Sequence, residues 1–360
     1  MNRIMHYVPY PGPEYQNKIY DVVIERSNCI FNHLRKQYFI YRYFIPYVSQ
    51  RLFLEFSKIK KMILKSDVIH FFDVRVNSFL PYIFSKCSSK KIILDVGDVS
   101  SPFWKVVNYN IVFNYLKLPL HKIMHKFSGI IIARGQTLKK YISIIYGINK
   151  EKIFVAYDPI NFKEIENSKS NVNKMKDRLN LHGKFVVGYA GGAIFNINIE
   201  GRTIPRGFEL IRAIENIFKI NKSYKRDIVV LFMGDGPGLK MLKEYVRRND
   251  LTKNIIFTGF VPKKKFASFI NLFDVGYLET FDTPGYEAMI GAKMQYYMAA
   301  SKPVITGNSG DRSILLKHQK FLLLNPCGIT LNHFYNYIDE LTKRIMLIYE
   351  NKNMVKEIGR

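Results

Sequence analysis

The sequence predicts an α/β protein of two doubly wound parallel-sheet domains facing across a cleft, and three observations carry that expectation. The first is size: 360 residues, 48% of them hydrophobic, exceed what one compact core organises and suit two domains of about 150–200 residues. The second is rhythm, because segments of helical period alternate with short apolar runs, the pattern of βαβ units and therefore of parallel sheets. The third is a polar interval over residues 161–180, rich in Lys, Asn, Ser and Glu, which reads as a linker. The expected division is 1–165, 166–330 and a terminal segment over 331–360.

From about residue 50 each element has its own signal. Leu52, Phe56, Ile59 and Ile63 share one face of a helix over 50–65. Residues 68–72 read as a short buried strand, 78–85 as a helix, 91–96 as a strand, 129–133 as a strand, 137–146 as a helix and 153–156 as a strand. Beyond the polar interval, strands over 185–189, 228–233, 255–258, 275–278 and 304–306 alternate with helices over 208–220, 239–248, 263–271 and 292–300, and 334–349 reads as helical.

Cys29, Cys87 and Cys327 are odd in number and far apart, which excludes a disulfide framework and a Cys-based zinc site. A reducing cytoplasm is the expected location. No apolar stretch of signal-peptide length follows Met1, and no window reaches the roughly 18 apolar residues of a spanning helix. Any membrane contact is therefore expected to be peripheral. Fifty-five Lys and Arg against 29 Asp and Glu leave +26, a field that attracts nucleic acid, anionic lipid or nucleotide-linked substrates. No acidic residue lies between Asp98 and Glu151, where Lys122, Lys126, Lys139 and Lys140 are among the basic ones. With Lys58, Lys60, Lys61 and Lys65 on the amphipathic 50–65 segment, this suits an anionic lipid surface; a basic solubilising surface is the alternative. Aromatic residues are interleaved with apolar core segments and no nucleic-acid motif is present, so nucleic acid is not the expected partner.

Open parallel sheets bind ligands beyond the carboxyl ends of their strands, near topological switch points. Gly188-Tyr189-Ala190-Gly191-Gly192 ends the first strand of the second domain, and its missing side chains let a diphosphate approach backbone N–H groups. The spacing is not that of a dinucleotide fingerprint, and a tight turn explains it equally well. Arg202 and Arg206-Gly207 lie between that turn and the next helix, where a guanidinium neutralises phosphate. Gly234-Asp235-Gly236-Pro237 and Phe257-Thr258-Gly259-Phe260-Val261 are further strand-end turns.

In order and spacing these pieces, with Asp274-Val275 and the run from Lys293 through Tyr296, Met298 and Ala300 to Pro303-Val304-Ile305, resemble the second domain of nucleotide-sugar-dependent glycosyltransferases of the GT-B fold, group 1 (family 4), over residues 187 to about 325. The resemblance implies two Rossmann-like domains and transfer of a sugar, with retention, from a nucleotide diphosphate sugar to a lipid-linked, polysaccharide or other envelope glycan acceptor. It places Gly191, Gly192 and Arg206 at the diphosphate, Gly234 and Gly236 in the neighbouring turn, Gly259, Phe260 and Val261 near the base, and Lys293 at phosphate or sugar. No metal or other cofactor is expected, the nucleotide sugar being a substrate. The 331–360 segment is expected to pack back toward the first domain, as in relatives.

The sequence departs from the family's pattern in three places. Tyr296 stands where the family's Glu binds the ribose, and a phenol lacks the charge-assisted strength of a carboxylate. Glu279 and Glu287 have the spacing of the paired-Glu motif but not its register, so the spacing reads as accidental, with Glu287 able to reach the sugar from the 284–291 loop. In the first domain Asp98 matches the Asp of a His-Asp or Arg-Asp loop while Gly97 replaces its cationic neighbour, and Pro9-Tyr10-Pro11-Gly12-Pro13 lacks a Gly-Gly loop. Asp98 is expected to orient an acceptor hydroxyl or accept its proton, with a plain turn residue as the other reading; His70 reads as structural. Asp98, Arg206 and Lys293 are the catalytic candidates. Tyr296 keeps a catalytically silent binding relative open as a second reading, and the charge keeps a nucleic-acid-binding protein as a third.

Overall fold

A computed structural model describes residues 2–10, 22–46, 52–98, 111–328, 330–351, 353 and 357–358. The chain divides at Pro159/Ile160 into two compact units, a few residues before the boundary read from sequence.

The first unit contains β1 (Arg3–Tyr10), α1 (Val22–Leu34), β2 (Phe39–Pro46), α2 (Leu52–Lys65), β3 (Val68–Phe72), α3 (Phe79–Cys87), β4 (Lys91–Val96), α4 (Ile111–Phe127), β5 (Ile130–Ala133), α5 (Gln136–Tyr146) and β6 (Ile153–Val155). Its sheet is parallel throughout, in the order β2-β1-β3-β4-β5-β6. Helix α1 packs on β1, while α2, α3, α4 and α5 pack in succession, which right-handed crossovers put on the opposite face. The βα rhythm thus begins at Arg3 rather than near residue 50. Elements β1 and β2 are hidden in the sequence by His6 and Arg42, which interrupt their apolar runs. In the fold Arg42 donates to Ser27 Oγ and Asn28 Oδ1 of α1 at 2.6 and 2.8 Å and lies 4.6 Å from the Phe31 ring. Helix α4 escapes because Pro119 lies inside it.

The second unit contains α6 (Phe162–Ser168), α7 (Val172–Leu179), β7 (Phe185–Ala190), β8 (Phe195–Ile199), β9 (Arg202–Pro205), α8 (Phe208–Ile220), β10 (Ile228–Met233), α9 (Leu239–Arg248), β11 (Ile255–Gly259), α10 (Lys263–Ile270), β12 (Val275–Leu278), α11 (Pro284–Ala288), α12 (Ala292–Ala299), β13 (Val304–Gly307), α13 (Gly310–Leu315), β14 (Leu323–Leu324) and α14 (Leu331–Glu350). Its parallel sheet runs β11-β10-β7-β12-β13-β14. Strand order reverses between β7 and β12, which makes their carboxyl ends the switch point. Every residue of β7, β10 and β12 is buried, as expected of strands covered on both faces.

Two features depart from the sequence reading. The polar interval is not a linker but forms α6 and α7: the Asn161 side chain caps α6 through Glu164 N, and Asn271 Nδ2 donates to Ile165 O at 3.0 Å and Ser168 Oγ at 2.7 Å. An antiparallel hairpin, β8–β9, intervenes between β7 and α8, and Glu200 at its tip accepts from Leu331 N at 3.1 Å. Helix α14 lies along α8 of its own unit, and Thr342 Oγ1 reaches Ala213 O at 3.4 Å. Among the described residues no helix is long and apolar enough to cross a membrane, and all three cysteines are free.

Candidate functional site

At the switch point of the second unit three glycine turns interlock. Gly191 N donates to Met233 O at 2.8 Å, Ala193 N to Asp235 O at 3.0 Å and Gly234 N to Gly259 O at 2.9 Å. A Cβ at Gly234, whose φ is +147°, would lie 1.9 Å from the Gly191 carbonyl oxygen, so only glycine allows this closeness. Several amides of these turns, Gly191 among those expected at a diphosphate, are engaged within the fold. Those of Gly191, Ala193 and Gly234 join strand end to strand end, and Gly236 N bonds Asp235 Oδ1 at 2.7 Å. What the turn supplies is space, since a Cβ at Gly191 would meet Lys293 Nζ and Tyr189 Oη, each at 2.9 Å.

Two cations converge on that space. Lys293 Nζ, from the first turn of α12, lies 2.8 Å from Glu279 Oε2 and 4.6 Å from the centroid of the Tyr189 ring. Arg206 Nη1, just ahead of α8, lies 3.7 Å from Glu279 Oε1, with its guanidinium 5.7 Å from the Tyr286 ring. Glu279 directly follows β12 and its side chain is 2% exposed. Burial alone would raise its carboxyl, but Lys293 and Arg206 hold it below its ordinary value. Burial lowers Lys293, and Glu279 opposes that shift. A second buried carboxyl, Glu209 in the first turn of α8, accepts from Tyr277 Oη at 3.1 Å, and Tyr277 Oη in turn lies 3.0 Å from Tyr337 Oη on α14. Burial, and after it the charge of Glu279, push Glu209 up to about 7. Near neutral pH the cluster therefore carries two cations against one full carboxylate, the arrangement that favours an anion.

The first unit gathers charge at the corresponding edge of its sheet. Asp95 in β4 is fully buried and lies 2.7 Å from Arg26 Nε and 3.5 Å from Arg134 Nε. Asp158 lies 3.4 Å from Arg26 and 3.6 Å from Arg134. Burial would raise Asp95, but His70, Arg26 and Arg134 hold it well below the carboxylate range. His70 stacks on Phe72 with centroids 4.1 Å apart. Just beyond β3, Asp73 pairs with Arg75 at 2.7 Å and takes a positive φ of 67°. Asp98 is solvent-accessible, yet desolvation by the surrounding protein and then the charge of Asp73 push it up to about 6. A Cβ at Gly97 would lie 2.8 Å from the Arg134 guanidinium, so a cation packs against position 97. Pro9 and Tyr10 end β1, and residues 11–13 lie outside the described ones.

Residues 205–343 match the model of the glycosyl transferases group 1 family. The match spans less than half of the chain. It includes Arg206, Glu279 and Lys293. The whole chain is similar in fold to Anabaena HepE, solved with UDP and glucose, at a TM-score of 0.74 and 16% identity, covering 100% of this chain and 93% of that one. It is also similar to sucrose-phosphate synthase from Thermosynechococcus elongatus (TM-score 0.66, 12% identity, 100% and 92% covered) and to the lipopolysaccharide outer core galactosyltransferase WaaB (0.56, 14%, 96% and 90%). The shared fold is GT-B, two Rossmann-like units in tandem. No curated protein matches the chain by sequence.

Within the second unit the remaining candidates separate. Gly259, Phe260 and Val261 are half-buried at the end of β11, as are Gly192, Gly234 and Gly236 in their turns. Tyr296 is a correction: it is 3% exposed and its ring meets Phe266 of α10 edge-on at 5.1 Å, because the register of α12 turns its large apolar surface into the core. Glu287 lies half-buried in the first turn of α11. The buried Arg312 straps that segment in place, donating to Met289 O at 2.6 Å and Tyr286 O at 2.7 Å. Arg202 opens β9 and is exposed. The sequence reading set Glu279 aside and passed over Glu209 and Tyr189. A carboxylate directly after the apolar 275–278 strand was the signal available for Glu279. Among the described residues no group of three or more His, Cys, Asp or Glu side chains is placed to hold a metal.

Proposed function

We propose that the chain transfers a hexosyl unit from a uridine diphosphate sugar, with its diphosphate at Arg206 and Lys293. The observation carrying this is the excess of positive charge at the β7/β12 switch point, where the glycine turn makes room for the Lys293 ammonium. HepE, of the same fold, has been solved with UDP and with UDP-glucose, which supports uridine as the base to test first. As the glycosidic bond breaks, negative charge builds on the departing diphosphate, and fixed cations in a poorly solvated site stabilise that charge selectively. Arg206 and Lys293 supply it as side chains, so in this reading transfer survives chelation of divalent ions. With Tyr296 in the core, Glu287 is the carboxylate assigned to the sugar or ribose, and Asp98 the group that receives or orients the acceptor hydroxyl. Retention follows from the family resemblance.

The acceptor proposed is a lipid-linked or envelope glycan at an anionic membrane surface. The α2–α5 layer supports this: Lys60, Lys61, Lys126 and Lys140 are exposed on it beside Leu64, Phe127 and Ile144, which are 51%, 49% and 65% exposed. Basic residues near such a surface contribute about 1 kcal/mol each.

Thermal-shift measurements with a panel of nucleoside diphosphates test the donor assignment. UDP should raise the melting temperature by mass action, and Arg206→Ala should weaken UDP binding about 10- to 100-fold, as expected for a charged hydrogen bond of about 1.5–3 kcal/mol. A wild-type chain indifferent to every nucleoside diphosphate overturns the proposal.

A further inference from the structure

We infer that Glu279 is the positioning residue of this site: it holds the Lys293 ammonium charged and fixed beneath Gly191 and anchors Arg206 beside it, without itself touching the donor. The inference rests on the donor reading above and assigns a role that neither the family pattern nor the sequence spacing gave to this residue.

The geometry is that of a bracket. Each carboxylate oxygen serves one cation, Oε2 lying 2.8 Å from Lys293 Nζ and Oε1 3.7 Å from Arg206 Nη1. The carboxylate is 2% exposed while the two cations are 17% and 21% exposed, so the cations, not the carboxylate, are what an incoming ligand meets. Tyr189 completes the bracket, its ring 4.6 Å from Nζ and its buried hydroxyl without a hydrogen-bond partner at the place a Gly191 side chain would fill. Lys293 thus has the Glu279 charge on one side, an aromatic face on another and a glycine where a side chain would otherwise exclude it.

The charges around Lys293 decide what Glu279 does. Facing it are Glu279 from the end of β12, Arg206 ahead of α8, Glu209 within α8, Tyr189 from β7 and, beyond Arg206, Tyr286 from α11. Burial and Arg206 favour loss of the Lys293 proton; Glu279 opposes both, with a smaller contribution from Glu209. Without Glu279 two poorly solvated cations face each other, and the more easily deprotonated one, the ammonium, yields first. A carboxylate that merely competed with phosphate for the cations would have the opposite effect, since its removal would tighten anion binding.

The test is UDP affinity from pH 6 to 10, by calorimetry, for the full-length wild type, Glu279→Gln and Arg206→Met. The wild type is expected to lose affinity on the alkaline side as Lys293 loses its proton. Glu279→Gln should move that loss to lower pH by about 1–3 units, the effect of an opposite charge at this distance. Arg206→Met should weaken binding yet move the loss to higher pH, because a like charge is removed. Should Glu279→Gln not fold, the opposite displacement in Arg206→Met still decides. Unmoved midpoints, or UDP bound more tightly by Glu279→Gln at every pH, overturn the inference. Titrating Lys293 by NMR in protein carrying 13Cε-labelled lysine, without UDP, reads the same displacements. If the wild type binds no UDP the donor reading falls, and this titration still decides the role of Glu279.

Discussion

The two sheets end in charged clusters of similar build and opposite balance. In the first unit Arg26, Arg75 and Arg134 meet Asp73, Asp95 and Asp158, so cations and anions match and Asp98 is left over at the rim, partly protonated near neutrality. In the second, Arg206 and Lys293 share Glu279 while Glu209 holds a proton to about pH 7. Charge that closes on itself holds elements together, as Arg26 does by tying α1 to β4 and to Tyr157 O at 2.9 Å. Charge left uncompensated is available to a ligand. On this comparison the second unit is the one that suits the proposed diphosphate, while in the first the exposed carboxyl at the rim is Asp98.

The contrast can be broken most forcefully at Asp95. Asp95→Asn leaves the buried Arg26 without its closest partner and should lower unfolding free energy by about 3–5 kcal/mol, read by denaturant titration, while UDP affinity changes little. A large loss of affinity with unchanged stability would erase the distinction. Next comes Glu209→Gln, which keeps an acceptor for Tyr277. The folded group titrates at about 7 against 4.5 for an ordinary Glu. Between those values the native state binds a proton that the unfolded chain has released, so wild-type stability falls as pH rises through this window. The variant escapes that loss and should gain up to about 3 kcal/mol above pH 7, with no advantage at pH 4. The smallest and most local effect is a pH profile. If Asp98 must be ionised to accept a proton, turnover should decline below about pH 6, and Asp98→Asn should lower turnover about 100-fold and flatten that limb.

Much of this was legible in the sequence where burial is simple. The β7, β10 and β12 strands are covered on both faces and so read as apolar runs, and the glycine turns after them mark where backbones approach. His6, Arg42 and Pro119 hid three elements because each interrupts the local apolar or helical pattern, and only the fold brings Arg42 its partners on α1. The α6–α7 interval looked like a linker because short helices that bury only Ile165 and Ser168 need little apolar sequence. At the site, Arg206 and Lys293 stood out by their place ahead of helices. Glu279 did not, because its meaning lies in partners 73 residues before and 14 after it in the chain, and Tyr296 misled because sequence position does not reveal which way a ring turns.

The Glu200–Leu331 hydrogen bond gives the carboxy-terminal helix leverage at a distance. The β8–β9 arm begins at the glycine turn and ends at Arg206, and its tip is moored to the first amide of α14. Glu200→Ala would unmoor the arm while leaving the buried helix in place, so a change at the arm's tip should blur the aim of the guanidinium it delivers and register as weakened grip on a diphosphate.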